Sequence, residues 1–154
     1  EIGLARLSGM HVVNFKLPKF NSKSINKSIH ASLIKTINVA NISLRKHWNN
    51  FDSFYIHIKE TDIPGHDGNP SEKKRLIELI DKRFFRNLSR LQNCIICITG
   101  DHSTPCKLKR HSADPVPVLI YGKGTDDISK FSERNSKKGS IGRIYGKNLL
   151  NLLY

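Results

Sequence analysis

No apolar run in these 154 residues approaches the roughly 18 that a bilayer-spanning helix needs, so no membrane segment is expected. Cysteine is scarce. Three thiols, Cys94, Cys97 and Cys106, are too few for a disulfide framework and point to a reducing compartment, taken here as the cytoplasm. The chain opens neither on Met nor on a basic signal-like stretch but on Glu1-Ile2-Gly3-Leu4, so the numbering is expected to begin inside a longer polypeptide. Acidic residues are outnumbered, 13 against 26 basic ones, which leaves a formal charge of +13. The basic clusters at Lys73-Lys74-Arg75, Lys107 to Arg110 and Arg134 to Lys147 attract phosphates of any kind. RNP-like, helix-turn-helix and zinc-finger patterns are all missing, so nucleic acid is not an expected partner and much of this charge reads as solvated surface.

What is present is a sequence of alternating elements with enough apolar content, 38%, for one core. Gly3 to Met10 reads as the end of a short helix and Val12 to Phe15 as a brief strand, followed by a polar loop from Lys16 to Lys23. From Ser24 to about His47, Ile25, Ile29, Leu33, Ile34 and Ile37 recur at helical spacing, and Asn49-Asn50 supply a stop. Phe51 to Lys59 is aromatic and β-branched and reads as a buried strand. Asn69, Pro70 and Glu72 then announce a helix by cap, first-turn proline and capping-box acid, with a core stripe of Leu76, Ile80, Phe84, Leu88 and Leu91. Cys94 to Thr99 and Val116 to Tyr121 read as strands. Cys94 and Cys97 form a CxxC, but residues three apart on a strand face opposite ways, so they read as buried inert thiols rather than a metal clamp. Three sequons, at Asn26, Asn41 and Asn87, fit chance in an Asn-rich composition. Strands alternating with helices predict an α/β layer fold with a largely parallel sheet.

Chemistry-bearing residues gather just after two of these strands. Asp62 and His66 stand in the loop Glu60-Thr61-Asp62-Ile63-Pro64-Gly65-His66-Asp67-Gly68-Asn69, their spacing bringing both side chains to one side of a tight turn or helical start. Asp101, His102 and His111 follow the Cys94 to Thr99 run. Carboxylates and imidazoles together suit zinc, manganese or similar divalent ions, and strand ends are where open α/β sheets bind ligands. His11, His30, His47 and His57 carry no ligand spacing, and Trp48 reads as core or helix-end packing.

The segments His57 to Asn69, Thr99 to Cys106 and His111 to Pro117, with the tail Phe131 to Arg134, Lys138 to Ile144 and Leu149-Leu150, resemble the archaeal-type cofactor-independent phosphoglycerate mutases of the alkaline phosphatase superfamily. The resemblance covers about Phe51 to Leu153. It implies a three-layer alkaline-phosphatase-like core, incomplete here. Residues 1–154 would be the carboxyl-terminal part, with a lead-in strand and helix over 1–50, ligand strands and loops over 51–122, and a basic tail over 123–154.

The function implied is the glycolytic interconversion of 3- and 2-phosphoglycerate through a phosphoserine. By motif, Asp62, His66 and His111 would hold one divalent ion and Asp101 with His102 a second. Manganese is expected, with magnesium, zinc or cobalt as alternatives. The nucleophilic serine and a further aspartate ligand would come from an amino-terminal segment preceding this chain, since Ser103 matches a structural Ser/Thr position in the family. The partner would be that missing segment and the substrate a phosphorylated small molecule, with Lys59 placed to meet its phosphate. The stretch Lys16 to Lys23 departs from the family, which tends to carry a Gly/Thr-containing loop there. Two other readings stand beside this one: a different phosphatase or phosphomutase of the superfamily, and an inactive basic remnant that binds polyanions or a partner chain.

Overall fold

Isoleucines and leucines three and four apart need one continuous neighbour, and helix α2 (Ile25–His47) provides the face that gives them one. A computed structural model of the chain describes residues 2–16, 25–88 and 90–154, the side chains of residues 25 and 26 excepted. The polar loop read over Lys16 to Lys23 lies outside these residues beyond its first position, as does Ile25 as a core side chain. The chain divides into two compact units, Glu1–Pro64 with Pro70–Leu88, and Gly65–Asn69 with Ser89–Tyr154.

In the first unit, helix α1 (Ile2–Leu7) buries no residue, whereas α2 packs on α4 (Pro70–Ile80). Helix α4 runs on through a widened π turn, Asp81–Phe85, into the single turn α5 (Arg86–Leu88). The core is Ile29, Leu33, Ile37 and Leu44 from α2 against Leu76, Ile80, Phe84 and Leu88. The expected stripe holds as far as Leu88, while Leu91, read as its last member, lies past the end of α5 and is only part-buried. Each such side chain contributes roughly 1.5–3 kcal/mol on full burial. Polar ties hold the same pair of helices in register. His30 Nε2 lies 2.7 Å from Oε1 of the buried Glu72, so the expected capping acid also links α4 to α2. Asn41 and Asn87, two of the three sequon asparagines, both donate to the Arg83 carbonyl. Trp48 closes the carboxyl end of α2 by stacking on Phe54, ring centres 5.7 Å apart.

The second unit is built on β1 (Ile96–Thr99) and β2 (Val118–Tyr121), paired antiparallel with Ile96 opposite Tyr121 and Thr99 opposite Val118. Among the described residues this is the whole sheet, a small piece consistent with the incomplete α/β core expected, and its one pairing is antiparallel. Val12 to Phe15 and Phe51 to Lys59, read as strands, join no ladder. Composition suited them to a sheet, but a strand needs a neighbour to accept its backbone hydrogen bonds, and these described residues contain none for them. Gly122 follows β2 at φ +95°, where a Cβ would sit 2.8 Å from the Cys94 carbonyl oxygen. Cys94 and Cys97 are part-buried free thiols, and burial pushes the Cys97 thiol up from its ordinary value, which keeps it protonated and unreactive.

The basic tail is tied down by one carboxylate. Asp126 accepts from the Ile128 and Ser140 amides, each at 3.0 Å, and from the Ser140 hydroxyl, while Ser132 caps α6 (Glu133–Ser136) by accepting from the Asn135 amide. The two backbone donors hold the Asp126 carboxyl below its ordinary value. A lowered folded-state pKa stabilises above the unfolded value of about 3.9 and is lost as pH falls through the folded one. The protection factors of the Ser140 and Ile128 amides, taken relative to intrinsic exchange at each pH, are therefore expected to fall below about pH 4. Asp126→Ala should bring the same loss of protection at neutral pH.

Candidate metal centre

Both acid and imidazole motifs that follow β1 lie in the one loop that joins it to β2. Antiparallel pairing returns the chain beside itself, and a bridge between Ser103 and Ser112, with the Ser112 amide donating to the Ser103 carbonyl at 3.0 Å, pinches the loop shut. Beyond the pinch, Pro105 O accepts from the Leu108 and Lys109 amides, which turns the chain back. His102 and His111 flank the bridge from opposite sides, so their rings meet with centres 3.8 Å apart.

His66 comes to the same place from α3 (Ile63–His66), a single turn. Its Nε2 is 3.2 Å from His111 Nε2, and its Nδ1 is 3.3 Å from the Lys109 carbonyl oxygen. A carbonyl can only accept, so Nδ1 is the donor in this contact, and in the neutral imidazole that leaves the lone pair on Nε2, the tautomer that suits a metal ligand. Lys109 holds that carbonyl in position at φ +53°, a left-handed conformation that costs a non-glycine residue roughly 1–2 kcal/mol. Such strain gathers at working sites.

Asp62 leads directly into α3 on the same continuous turn, its amide donating to the Lys59 carbonyl at 3.1 Å. One ligand atom each from Asp62, His66 and His111 lies within 4.8 Å of the other two. Two nitrogens bound tetrahedrally at about 2.0–2.1 Å from one ion stand about 3.4 Å apart. The His66 to His111 separation of 3.2 Å therefore fits a shared divalent ion. Asp101 and His102 form a looser pair, Oδ2 to Nε2 at 3.5 Å, with His102 Nδ1 held 3.2 Å from the hydroxyl of the buried Thr104. Among the described residues, Asp101 and His102 belong to no group of three whose ligand atoms all lie within 4.8 Å of one another, although the His102 ring meets that of His111. Lys59 is exposed on the turn before Asp62. Ser103 is committed through its backbone to the bridge.

Three contributors escape a reading of residue types. Gly65 is one: a Cβ there would lie 2.7 Å from the Thr104 carbonyl oxygen and 2.9 Å from its Cγ2, so only glycine lets α3 approach the loop. The Lys109 carbonyl and the Thr104 hydroxyl are the others, each orienting one imidazole. A glycine directly before a histidine in the ligand loop was the available signal for the first, while backbone carbonyls leave none.

The family model of the metalloenzyme superfamily matches residues 7–154. A protein of Pyrococcus abyssi named 2,3-bisphosphoglycerate-independent phosphoglycerate mutase is 45% identical over 107 residues, which are 67% of this chain and 26% of that protein. One from Thermosipho africanus, named as a probable enzyme of the same kind, is 40% identical over 97% of this chain and 33% of its own length. A homologue from Thermococcus kodakarensis, with that mutase name, is 36% identical over 98% of this chain and 35% of its own. This chain thus spans about a quarter to a third of these relatives. A solved protein of Pyrococcus horikoshii superposes with a TM-score of 0.75 at 35% identity, covering 98% of this chain and 44% of that one. The structural match extends over both units, and the family match includes every acid and histidine just described. The chain belongs to the metalloenzyme superfamily.

Proposed function

We propose that these residues supply the divalent-metal ligands of a phosphoglycerate mutase that needs no bisphosphoglycerate cofactor, interconverting 3- and 2-phosphoglycerate in the cytoplasm. The observation that carries this reading is the convergence of Asp62, His66 and His111 within 4.8 Å, in a chain whose relatives bear that enzyme's name. Asp62, His66 and His111 hold one ion and Asp101 with His102 contribute to a second, manganese being the expected metal. When bound, such ions supply positive charge that neutralises a transferring phosphoryl group and its attacking and leaving oxygens. The chain's own part is orientation. The Lys109 carbonyl fixes the His66 tautomer, Thr104 holds His102, and Lys59 offers an ammonium to a substrate phosphate. The accepting serine and the further aspartate ligand come from a segment outside these residues.

The test uses the full gene product with 3-phosphoglycerate. Activity is expected to vanish in chelator and return with Mn2+, and a panel of phosphomonoesters should show isomerisation of phosphoglycerate well above hydrolysis of the rest. Hydrolysis without isomerisation would move the assignment to a phosphatase of the same superfamily, and full activity in the His66→Ala, His102→Ala double variant would overturn the metal chemistry. One observation favours a second reading, polyanion binding. Arg45, Lys82 and Arg83 line an open groove in the first unit with Asn38, Asn41 and Asn87 and no carboxylate. That reading requires steeply salt-dependent binding that survives chelator.

A further inference from the structure

Two hydroxyls break the apolar face of α2. Ser32 and Thr36 sit four residues apart between Ile29, Leu33 and Ile37, and they are as buried as those neighbours, at 0% and 7% exposure. Mid-helix serine and threonine commonly bond back to their own helix. Here both reach across to the same atom, Oε1 of Glu60, at 2.7 and 2.8 Å. Glu60 is itself only 4% exposed. Burying a carboxyl group costs several kcal/mol unless its hydrogen bonds are supplied. An apolar residue would pack this helix against the turn at no such cost, so the carboxyl group does something packing alone does not.

Its place in the chain says what. Glu60 stands in the turn closed by the Asp62 amide donating to the Lys59 carbonyl, and only Thr61 separates it from Asp62. Apolar contact is non-directional and would let this turn slide along α2. Two hydroxyl donors converging on one oxygen fix both its height on the helix and its rotation. We propose that Glu60 is a positioning residue for the metal centre: anchored on Ser32 and Thr36, it sets the Lys59–Asp62 turn and so the direction in which Asp62 presents its carboxylate. This rests on the reading of Asp62 as a metal ligand. Glu60 does not touch the ion. It acts through Asp62, as partners behind metal ligands do elsewhere.

The experiment measures affinity for Mn2+ alone, by the electron paramagnetic resonance signal of the free ion, with a thermal melt of each variant alongside. Glu60→Ala is expected to weaken binding roughly 10–100-fold. Glu60→Gln keeps an oxygen that accepts from both hydroxyls and should restore affinity to within a few-fold of the parent chain. The Ser32→Ala, Thr36→Val double variant should lose what Glu60→Ala loses, with the carboxyl group still in place. A folded Glu60→Ala chain with unchanged affinity overturns the proposal, and so does Glu60→Gln binding as weakly as Glu60→Ala, since that would make charge rather than anchoring the operative property. Should Glu60→Ala fail to fold, Thr36→Val alone decides: it removes one hydroxyl at constant shape, and unchanged affinity in it again overturns the role. A parent chain that takes up no Mn2+ fails differently, because it removes the metal reading and this proposal together.

Discussion

Replacing His66 by alanine is expected to weaken Mn2+ binding by more than about 100-fold while leaving the metal-free chain nearly as stable as before. The first half follows from ligand count. Of the three side chains that converge, His66 lies within 3.2 Å of His111 and is the one whose lone pair is aimed by a backbone carbonyl. Removing a partner behind a metal ligand already costs 10–100-fold, so removing the ligand costs more. The second half follows from exposure. His66 is a surface residue, and substitutions there usually change stability by less than about 0.5 kcal/mol. The two halves together give a sharp readout. At a metal concentration 100 times the dissociation constant, binding to the folded state alone adds about 2.7 kcal/mol. For a chain of this size that is a rise of roughly 5–10 °C in melting temperature. The parent chain should show this rise and His66→Ala should not, while their melts in chelator nearly coincide. A His66→Ala chain still stabilised by Mn2+ to the parental extent would remove His66 from the site.

The same pair of histidines shows how far residue types and spacing carry. Asp62, His66, Asp101, His102 and His111 could be singled out from the chain because carboxylate and imidazole at loop positions after apolar runs have few other reasons to gather. The helices were legible for a related reason: Leu33, Ile37, Leu76 and Phe84 repeat at a period only a helix satisfies. Strands were harder. Phe51 to Lys59 has the composition of a buried strand, yet it joins no ladder among the described residues, because a strand is a property of two segments and composition reports one. Antiparallel pairing of β1 with β2 was hidden for the same reason, though it is what folds Asp101, His102 and His111 into one pinched loop. Ser32 and Thr36 carry no signal in the periodicity of α2, which the apolar residues around them set. Only the arrival of Glu60 from elsewhere in the chain gives them a purpose.

Gly65→Ala tests the least visible of these contacts and should damage both imidazole pairs at once. On propensity alone the change looks favourable, since alanine gains up to about 1 kcal/mol over glycine inside a helix. The contact opposes it. The new Cβ would stand 2.7 Å from the Thr104 carbonyl oxygen, 2.9 Å from its Cγ2 and 3.1 Å from its Cβ. Two of those distances are shorter than packed atoms tolerate, and the nearest partner is backbone, which cannot rotate away as a long side chain would. Overpacking of this kind costs roughly 1–3 kcal/mol, so the clash wins and α3 or the loop must move. Either movement reaches the site. His66 is the next residue on α3, and Thr104 holds His102 through its hydroxyl. A net loss of roughly 1–2 kcal/mol in stability is expected, with Mn2+ affinity falling at least 10-fold. Gly146→Ala serves as the control, because nothing lies within 4 Å of a Cβ there, and it should leave both quantities unchanged. Thr104→Ser in the Gly65→Ala background removes the Cγ2 contact but keeps the carbonyl one, so it should recover only part of the loss. Complete recovery would mean that the methyl, not the backbone, sets the approach of α3 to the loop. A Gly65→Ala chain with parental stability and metal affinity would show that the turn carrying His66 has room the structure does not give it.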